Sequence, residues 1–265
     1  MNTRHRKKIP VALTIAGSDS GGGAGVQADL KTFAALGVHG ASAITCITAQ
    51  NPKSVLGIQP VKADMVMKQL EAIFAEFQPR AAKTGMLFSA EIIRAVAKFF
   101  RAHRRVPLIV DPVMIATSRA QLLKSSALNA LKKELLPLAS LVTPNLAEAE
   151  VLIGREILTL KEMQSAADEI FRQFGCAALV KGGHLRPGPL AIDIFYDGKT
   201  EIILRSDFVK DISTHGTGCT FSAAIAGRIA HGDDLHAAVR RAKKFITRAI
   251  QKSVRVSRHD VLKNF

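Results

Sequence analysis

Short apolar, β-branched runs alternate with helix-period segments along almost the whole chain, and this alternation limits the folds open to it. The runs are VALTIA (11–16), ASAITCIT (41–48), PLIVD (107–111), SLVT (140–143) and AALVK (177–181). Several are apolar without a break, the pattern of strands covered on both faces rather than of a sheet with one wet face. Between them, segments 25–37, 63–77, 89–103, 121–136, 145–153 and 160–174 repeat apolar residues at helical spacing. AIDIFYDGKTEIILRS (191–206) then sets two strand-like runs around Asp197-Gly198, a hairpin signal. Two further apolar helices are predicted around 217–231 and 233–252. The pattern predicts an α/β fold: a mostly parallel central sheet flanked by helices, with an antiparallel edge hairpin. No internal repeat or Pro/Gly-rich linker interrupts it, so residues 9–265 read as one domain behind a basic N-terminal arm, residues 1–8.

Composition narrows the function classes. At 48% hydrophobic and 22% charged, the 265 residues are not a disordered chain. The net charge of +15 suggests a nucleic-acid or acidic-membrane partner when taken alone. Its placement argues otherwise. Residues 1–8 carry four positive charges, 98–105 four more, and 228–265 a net seven, which together hold the whole excess. These read as solvated faces, and no nucleic-acid-binding motif accompanies them. Trp is absent and Tyr occurs once, so a base-stacking platform is not expected. Cys46, Cys176 and Cys219 lie far apart, with no zinc-type spacing and no framework of disulfides. A sparse, odd count suits a reducing compartment, and a cytoplasmic protein is expected. The apolar run 9–17 follows basic residues but leads into Asp19 and glycines rather than a cleavage site. No run nears the ~20 apolar residues of a membrane helix, so no membrane partner is expected.

In such sheets ligands bind where strands end and helices begin. The first of these turns is Gly17-Ser-Asp-Ser-Gly-Gly-Gly-Ala-Gly25. Gly23-Ala-Gly25-Val-Gln-Ala28 fits the dinucleotide spacing, yet residues 40–60 lack the acid that would hold a ribose. No Lys-Ser/Thr follows Gly22, so a Walker A loop is excluded as well. The loop admits a ligand close to the backbone without being either nucleotide cradle. A second turn, Thr214-His-Gly-Thr-Gly-Cys-Thr220, runs straight into the apolar helix FSAAIAGRIA. Unpaired N–H groups and the positive end of a helix make an anion hole there, suited to charge gathering on a phosphoryl group. Cys219 lies inside it, where a helix start favours thiolate character. Asn145 leaves the strand run at 140–143 with Glu148 one turn on; it is a competent N-cap, and the pair is also able to order the waters of a magnesium ion. Lys181 offers a phosphate a point charge, and Asp111 brings a carboxylate to the same sheet edge.

GSDSGGGAGVQADLKTFAALGVHG, ITAQN, KTGML, VDPVM, TPNLAEAE, LVKGGH and THGTGCT occur in the order seen in bacterial phosphomethylpyrimidine kinases, and the chain from Val11 to Ile250 resembles that family of the ribokinase-like superfamily. The resemblance implies a single α/β kinase domain, usually a homodimer. The activity it implies moves the γ-phosphoryl of ATP, with Mg2+, to 4-amino-5-hydroxymethyl-2-methylpyrimidine and then to its monophosphate, in thiamin diphosphate biosynthesis. Carried over residue by residue, it implies that Asp29 and Gln50 hydrogen-bond the pyrimidine while Gly17 and Met86 line its pocket. Gly216 and Gly218 would form the anion hole, with Cys219 where ribokinase relatives more often carry an aspartate base. Asn145, Glu148, Lys181 and Thr217 would face the nucleotide, and Asp111 with Glu148 the metal.

The chain departs from the family after VDPVM. Where Ala-Lys-Ser-Gly and an acid are usual, it has Ala116-Thr-Ser-Arg-Ala120, so the flap expected over the site lacks its lysine, glycine and acid. Arg119 stands near enough in sequence to replace the missing cation. Gln50, where some relatives carry Glu, bears no charge. Two alternatives stay open on these grounds: a pyridoxal or pyridoxine kinase on the same fold, and a non-catalytic pyrimidine-binding relative.

Overall fold

The computed structural model describes residues 8–114, 125–183, 185, 189–209 and 215–264. Most of the basic arm and the stretch Ala116–Ala120 with Arg119 lie outside the described residues. In chain order the elements are β1 (Val11–Asp19), α1 (Gly25–Ala35), β2 (His39–Asn51), β3 (Ser54–Pro60), α2 (Ala63–Glu76), β4 (Ala81–Thr84), α3 (Ala90–Ala102), β5 (Leu108–Val110), α4 (Ser125–Ala130), β6 (Leu141–Val142), α5 (Leu146–Ile153), α6 (Leu160–Phe174), β7 (Ala177–Lys181), β8 (Leu190–Tyr196), β9 (Glu201–Asp207), α7 (Thr217–Ala230), α8 (Leu235–Gln251) and a small hairpin of β10 (Val254–Val256) and β11 (His259–Val261).

β1 to β9 form one sheet in the order β3-β2-β1-β4-β5-β6-β7-β8-β9. The six strands from β2 to β7 pair in parallel. The expected hairpin, β8–β9, closes one edge antiparallel. The other edge is antiparallel too, because β3 folds back on β2. That second edge departs from the sequence expectation of a single hairpin. SVLGIQP (54–60) is largely exposed and interrupted by Gly57, so it lacks the buried apolar signature of the central strands. β4 was also absent from the expected strands. AAKT is four residues long and poor in β-branched side chains, yet all four are buried. Its position between β1 and β5, rather than propensity, makes it a strand.

One face of the sheet packs against α2 to α6, with Ile93, Val96, Phe100, Leu135 and Ile170 in its core. The other face packs against α1, α7 and α8, with Phe33, Phe221, Ile225 and Val239 in its core. Of the predicted helix 121–136, the described part is less regular: α4 gives way to a π turn at Leu131–Leu135 and a 3-10 turn at Leu136–Leu138, where Pro137 cannot supply the N–H a regular helix needs. α7 is buried along nearly its whole length because FSAAIAG offers small side chains to both the sheet and α1. A Cβ on Gly227 would lie 2.9 Å from Leu36 Cδ1, so that approach depends on the missing side chain. The first turn of α7 is thereby fixed against the ends of the parallel strands. Among the described residues, no helix is long and apolar enough to cross a membrane.

Candidate active site

The chain reverses its winding direction at β1, whose neighbours are β2 on one side and β4 on the other. Open α/β sheets leave a crevice at such a point, beyond the carboxyl ends of the strands. A cavity of about 930 Å³ opens there. The end of β1 contributes Gly17, Ser18 and Asp19, the loop after it Ala24 and Gly25, β2 contributes Thr48 and Gln50, and the turn after β4 contributes Gly85 and Met86. Asp111, Asn145, Glu148 and Lys181 follow from the ends of β5, β6 and β7, and Gly216 to Cys219 from the start of α7. The residues singled out from the sequence thus meet around one cavity, with one exception.

That exception is Asp29. It is fully buried below the cavity and is not among the residues lining it. Its Oδ2 accepts from Thr14 Oγ1 at 2.6 Å and from Lys83 Nζ at 2.9 Å, and its Oδ1 accepts from the same ammonium at 3.1 Å. Fully buried, Asp29 does not itself face a ligand in the cavity. The wall residue above it is Lys83, which the sequence did not single out. Burial works against the Lys83 charge, but Asp29, Cys219 and Asp111 around it hold its pKa above the ordinary lysine value.

Beside it, at the end of the neighbouring strand β5, lies a network centred on Asp111. Lys181 Nζ donates to its Oδ1 at 3.0 Å, Thr143 Oγ1 to the same atom at 3.2 Å, and Ser222 Oγ to Oδ2 at 3.2 Å. Burial would raise the Asp111 pKa; Lys181 and Lys83 outweigh it and hold the carboxylate ionised. Asn145 caps α5 in full: its Oδ1 accepts from Glu148 N at 2.9 Å, and Glu148 Oε2 accepts from Asn145 N at 2.8 Å. Glu148 is only 5% exposed. Burial pushes its carboxyl up to about 7, with Asp111 adding to the shift and Lys181 opposing it. A buried carboxyl at that value is short of positive charge. A divalent cation bringing its own waters and held also by a nucleotide phosphate meets that need. Asp111, engaged by Lys181, would stand beside such an ion. Among the described residues no cluster of three or more His, Cys, Asp and Glu forms a closed metal cage.

Gly216 caps α7 at φ 82°, a left-handed conformation in which a Cβ would collide with the Gly23 carbonyl oxygen. A Cβ on Gly218 would stand 3.1 Å from Lys181 Nζ, so the lysine lies against the first turn of α7. Thr217 lines the cavity beside them. Cys219 departs from the expectation of thiolate character. Burial pushes its thiol up to about 11, with the Asp29 and Asp111 carboxylates adding to the effect against Lys83 and the Gly25 N–H. The helix start does not overcome that desolvation, and the resting side chain is a neutral thiol.

Asp19 and His215, both inside quoted motifs, had been given no role. Asp19 Oδ1 accepts from Gly21 N at 2.8 Å, and its Oδ2 from Ala24 N at 2.8 Å and Gly23 N at 3.1 Å, which shapes the glycine loop. His215 Nε2 donates to the same Oδ2 at 3.1 Å. Burial opposes the Asp19 charge, but these donors keep its pKa below the ordinary value.

The geometry agrees with what the chain is similar to. The sequence model of the phosphomethylpyrimidine kinase family matches residues 19–263. A hydroxymethylpyrimidine/phosphomethylpyrimidine kinase of Rhizobium meliloti (strain 1021) is 49% identical over 247 residues, 93% of this chain and 92% of the relative. Among solved structures, the ADP complex of Bacillus subtilis pyridoxal kinase superposes with a TM-score of 0.90 at 38% identity, covering 97% of this chain and 98% of that one. Phosphomethylpyrimidine kinase of Clostridium difficile 630 superposes with a TM-score of 0.81 at 42% identity, covering 92% of this chain and all of that one. With the family's model spanning almost the whole sheet and the glycine turns, lysine and cysteine gathered at its carboxyl edge, the chain belongs to the phosphomethylpyrimidine kinase family.

Proposed function

We propose that the chain transfers the γ-phosphoryl of ATP to the hydroxymethyl oxygen of 4-amino-5-hydroxymethyl-2-methylpyrimidine and then to the phosphate of the resulting monophosphate, in thiamin diphosphate biosynthesis. The observation that carries this reading is the convergence of Gly218 and Lys181 on one point of a cavity whose other wall is Gly17, Gln50 and Met86. In the first transfer, the substrate oxygen bonds to the γ-phosphorus as the bond to the β,γ-bridging oxygen breaks, and ADP leaves with that electron pair. Charge spreads over the three equatorial oxygens, which the N–H groups of Gly216–Cys219 and the Lys181 ammonium are placed to receive. The transition state is loose, so the substrate proton leaves late, passing to an oxygen of the transferred phosphoryl group or to water. The neutral Cys219 thiol suits orienting the hydroxyl better than removing its proton in the resting state. Gln50, whose Oε1 accepts from Thr48 Oγ1 at 3.2 Å, presents an amide to the ring nitrogens and amino group.

Glu148 and Asp111 would hold the Mg2+ that travels with ATP; the ion would neutralise phosphate charge. The same reading takes residues 9–265 as one kinase unit, assembled as a homodimer. Its setting is the cytoplasm, which the free thiols of Cys46, Cys176 and Cys219 suit.

A pyridoxal kinase is the second reading, favoured by the close superposition on the Bacillus subtilis enzyme. Steady-state ADP release with the aminopyrimidine, its monophosphate and pyridoxal separates the two. Turnover of both pyrimidines above that of pyridoxal is the expected result. Pyridoxal turnover alone overturns the first reading, and binding without turnover of any of the three makes the chain a non-catalytic relative.

A further inference from the structure

The glycine loop after β1 and the anion hole at the start of α7 are almost 200 residues apart in sequence, yet they touch at three points. His215 Nε2 donates to Asp19 Oδ2 at 3.1 Å, and both side chains are nearly buried, at 11% and 3% exposure. The imidazole packs so close to Gly23 that a Cβ there would come within 2.7 Å of its Cδ2. Gly216, the next residue, presses on the Gly23 carbonyl oxygen. Asp19 serves both loops at once, because the oxygen that takes His215 also takes the N–H groups of Gly23 and Ala24.

We propose that His215, seated on Asp19, is a positioning residue that locks the anion hole to the glycine loop, so that the hole and the substrate wall keep one fixed spacing. The inference rests on the kinase reading for its catalytic consequence alone. Phosphoryl transfer asks for in-line placement of two bound groups, and a shift of about 1 Å in such a site costs roughly 100-fold. Each substrate is bound on its own wall, so loosening the link leaves both walls able to bind and disturbs only their spacing. The role therefore predicts an effect on kcat with little effect on either KM.

His215→Gln keeps a donor nitrogen at the reach of imidazole Nε2, whereas His215→Asn is one bond too short and His215→Ala has none. Expected are a fall in kcat of about 10- to 100-fold for the Ala and Asn variants, with both KM values within about threefold of the parent, and recovery to within about fivefold in the Gln variant. Hydrogen exchange of the full chain, followed by mass spectrometry without substrates, gives a readout independent of turnover. Peptides spanning 21–25 and 215–220 should exchange faster together in the Ala and Asn variants and return to the parent rate in the Gln variant. Unchanged kcat in the Ala and Asn variants, equal loss in all three, or exchange that rises in one loop alone overturns the proposal. If the parent shows no turnover but the two loops exchange together as described, the kinase reading fails while the lock stands.

Discussion

Lys83 and Asp29 form an ion pair with no solvent exposure on either side chain, the ammonium lying 2.9 Å from one carboxylate oxygen and 3.1 Å from the other. It joins β4 to α1 below the cavity wall. Removing one partner strands the other charge in the interior, which typically costs 3–5 kcal/mol, whereas replacing both with apolar groups is often close to neutral. Lys83→Met should therefore lower stability by about 3–5 kcal/mol, and the double variant Lys83→Met/Asp29→Leu should regain most of it. Urea denaturation of the three proteins checks this; an unchanged midpoint in the single variant overturns it.

In the proposed transfer, Gly218 admits a phosphoryl group only because nothing projects from it. Its backbone is helical, so Ala is tolerated locally, but the added methyl would stand 3.1 Å from Lys181 Nζ, where the transferred oxygens are expected. Gly218→Ala should keep the melting temperature within a few degrees and lower kcat by about 100- to 1,000-fold, the usual loss when an oxyanion donor is blocked. A thermal melt and an ADP-release assay on the same preparation separate the two effects.

Cys219 is a neutral thiol at rest, pushed up to about 11. Its thiolate fraction, and hence its rate of alkylation by iodoacetamide, should climb about tenfold per pH unit from pH 7 to 10. Cys46 and Cys176 are buried and their thiols are pushed up to about 11 and about 12, so the label should map to Cys219. Rapid, pH-independent labelling would show a resting thiolate. Cys219→Ala should reduce kcat severely and leave the KM for ATP nearly unchanged.

Glu148 has its carboxyl pushed up to about 7 from an ordinary value of 4.5. The folded chain thus holds this proton more tightly than the unfolded chain, and that stabilisation is fullest below pH 4.5 and lost as the pH rises through 7. Glu148→Gln retains both partners of the α5 capping box and carries no charge. It should be more stable than the parent at pH 8, by an amount on the order of 1–3 kcal/mol, with the difference vanishing near pH 4. Binding of magnesium nucleotide to the parent near pH 7 should release a proton, seen as a binding enthalpy that varies with the buffer's ionisation enthalpy. No such variation is expected in the variant.

The cavity wall was legible where function is written in backbone. Gly17, Gly216 and Gly218 stand in turns with more glycine than a plain strand–helix connection needs, and the Asn145/Glu148 spacing marks a helix start whatever the fold. Side chains whose role depends on a distant partner were not legible. Lys83 sits in the tetrapeptide AAKT, where nothing signals burial, and its partner is 54 residues away. Asp29 stands in a motif that invites a binding role, and only the position of α1 against the sheet turns its carboxylate below the cavity. Asp19 and His215 are 196 residues apart. Cys219 was misread for a related reason: the helix start is local, while the desolvation and the carboxylates that oppose it come from the packed core.

The first strand of the chain lies inside the sheet, and this bears on the order in which the molecule can assemble. β1 pairs with β2 in the registry Leu13↔Ala41, but its other edge stays bare until β4 arrives in the registry Leu13↔Ala82, and nine further elements of regular structure lie in sequence between β4 and His215, the partner of Asp19. Contacts so distant in sequence slow folding, because loop-closure entropy is lost before they reward it. Refolding from denaturant should therefore show helical ellipticity well ahead of catalytic turnover, with the return of activity marking the last long-range closure rather than the collapse of the chain.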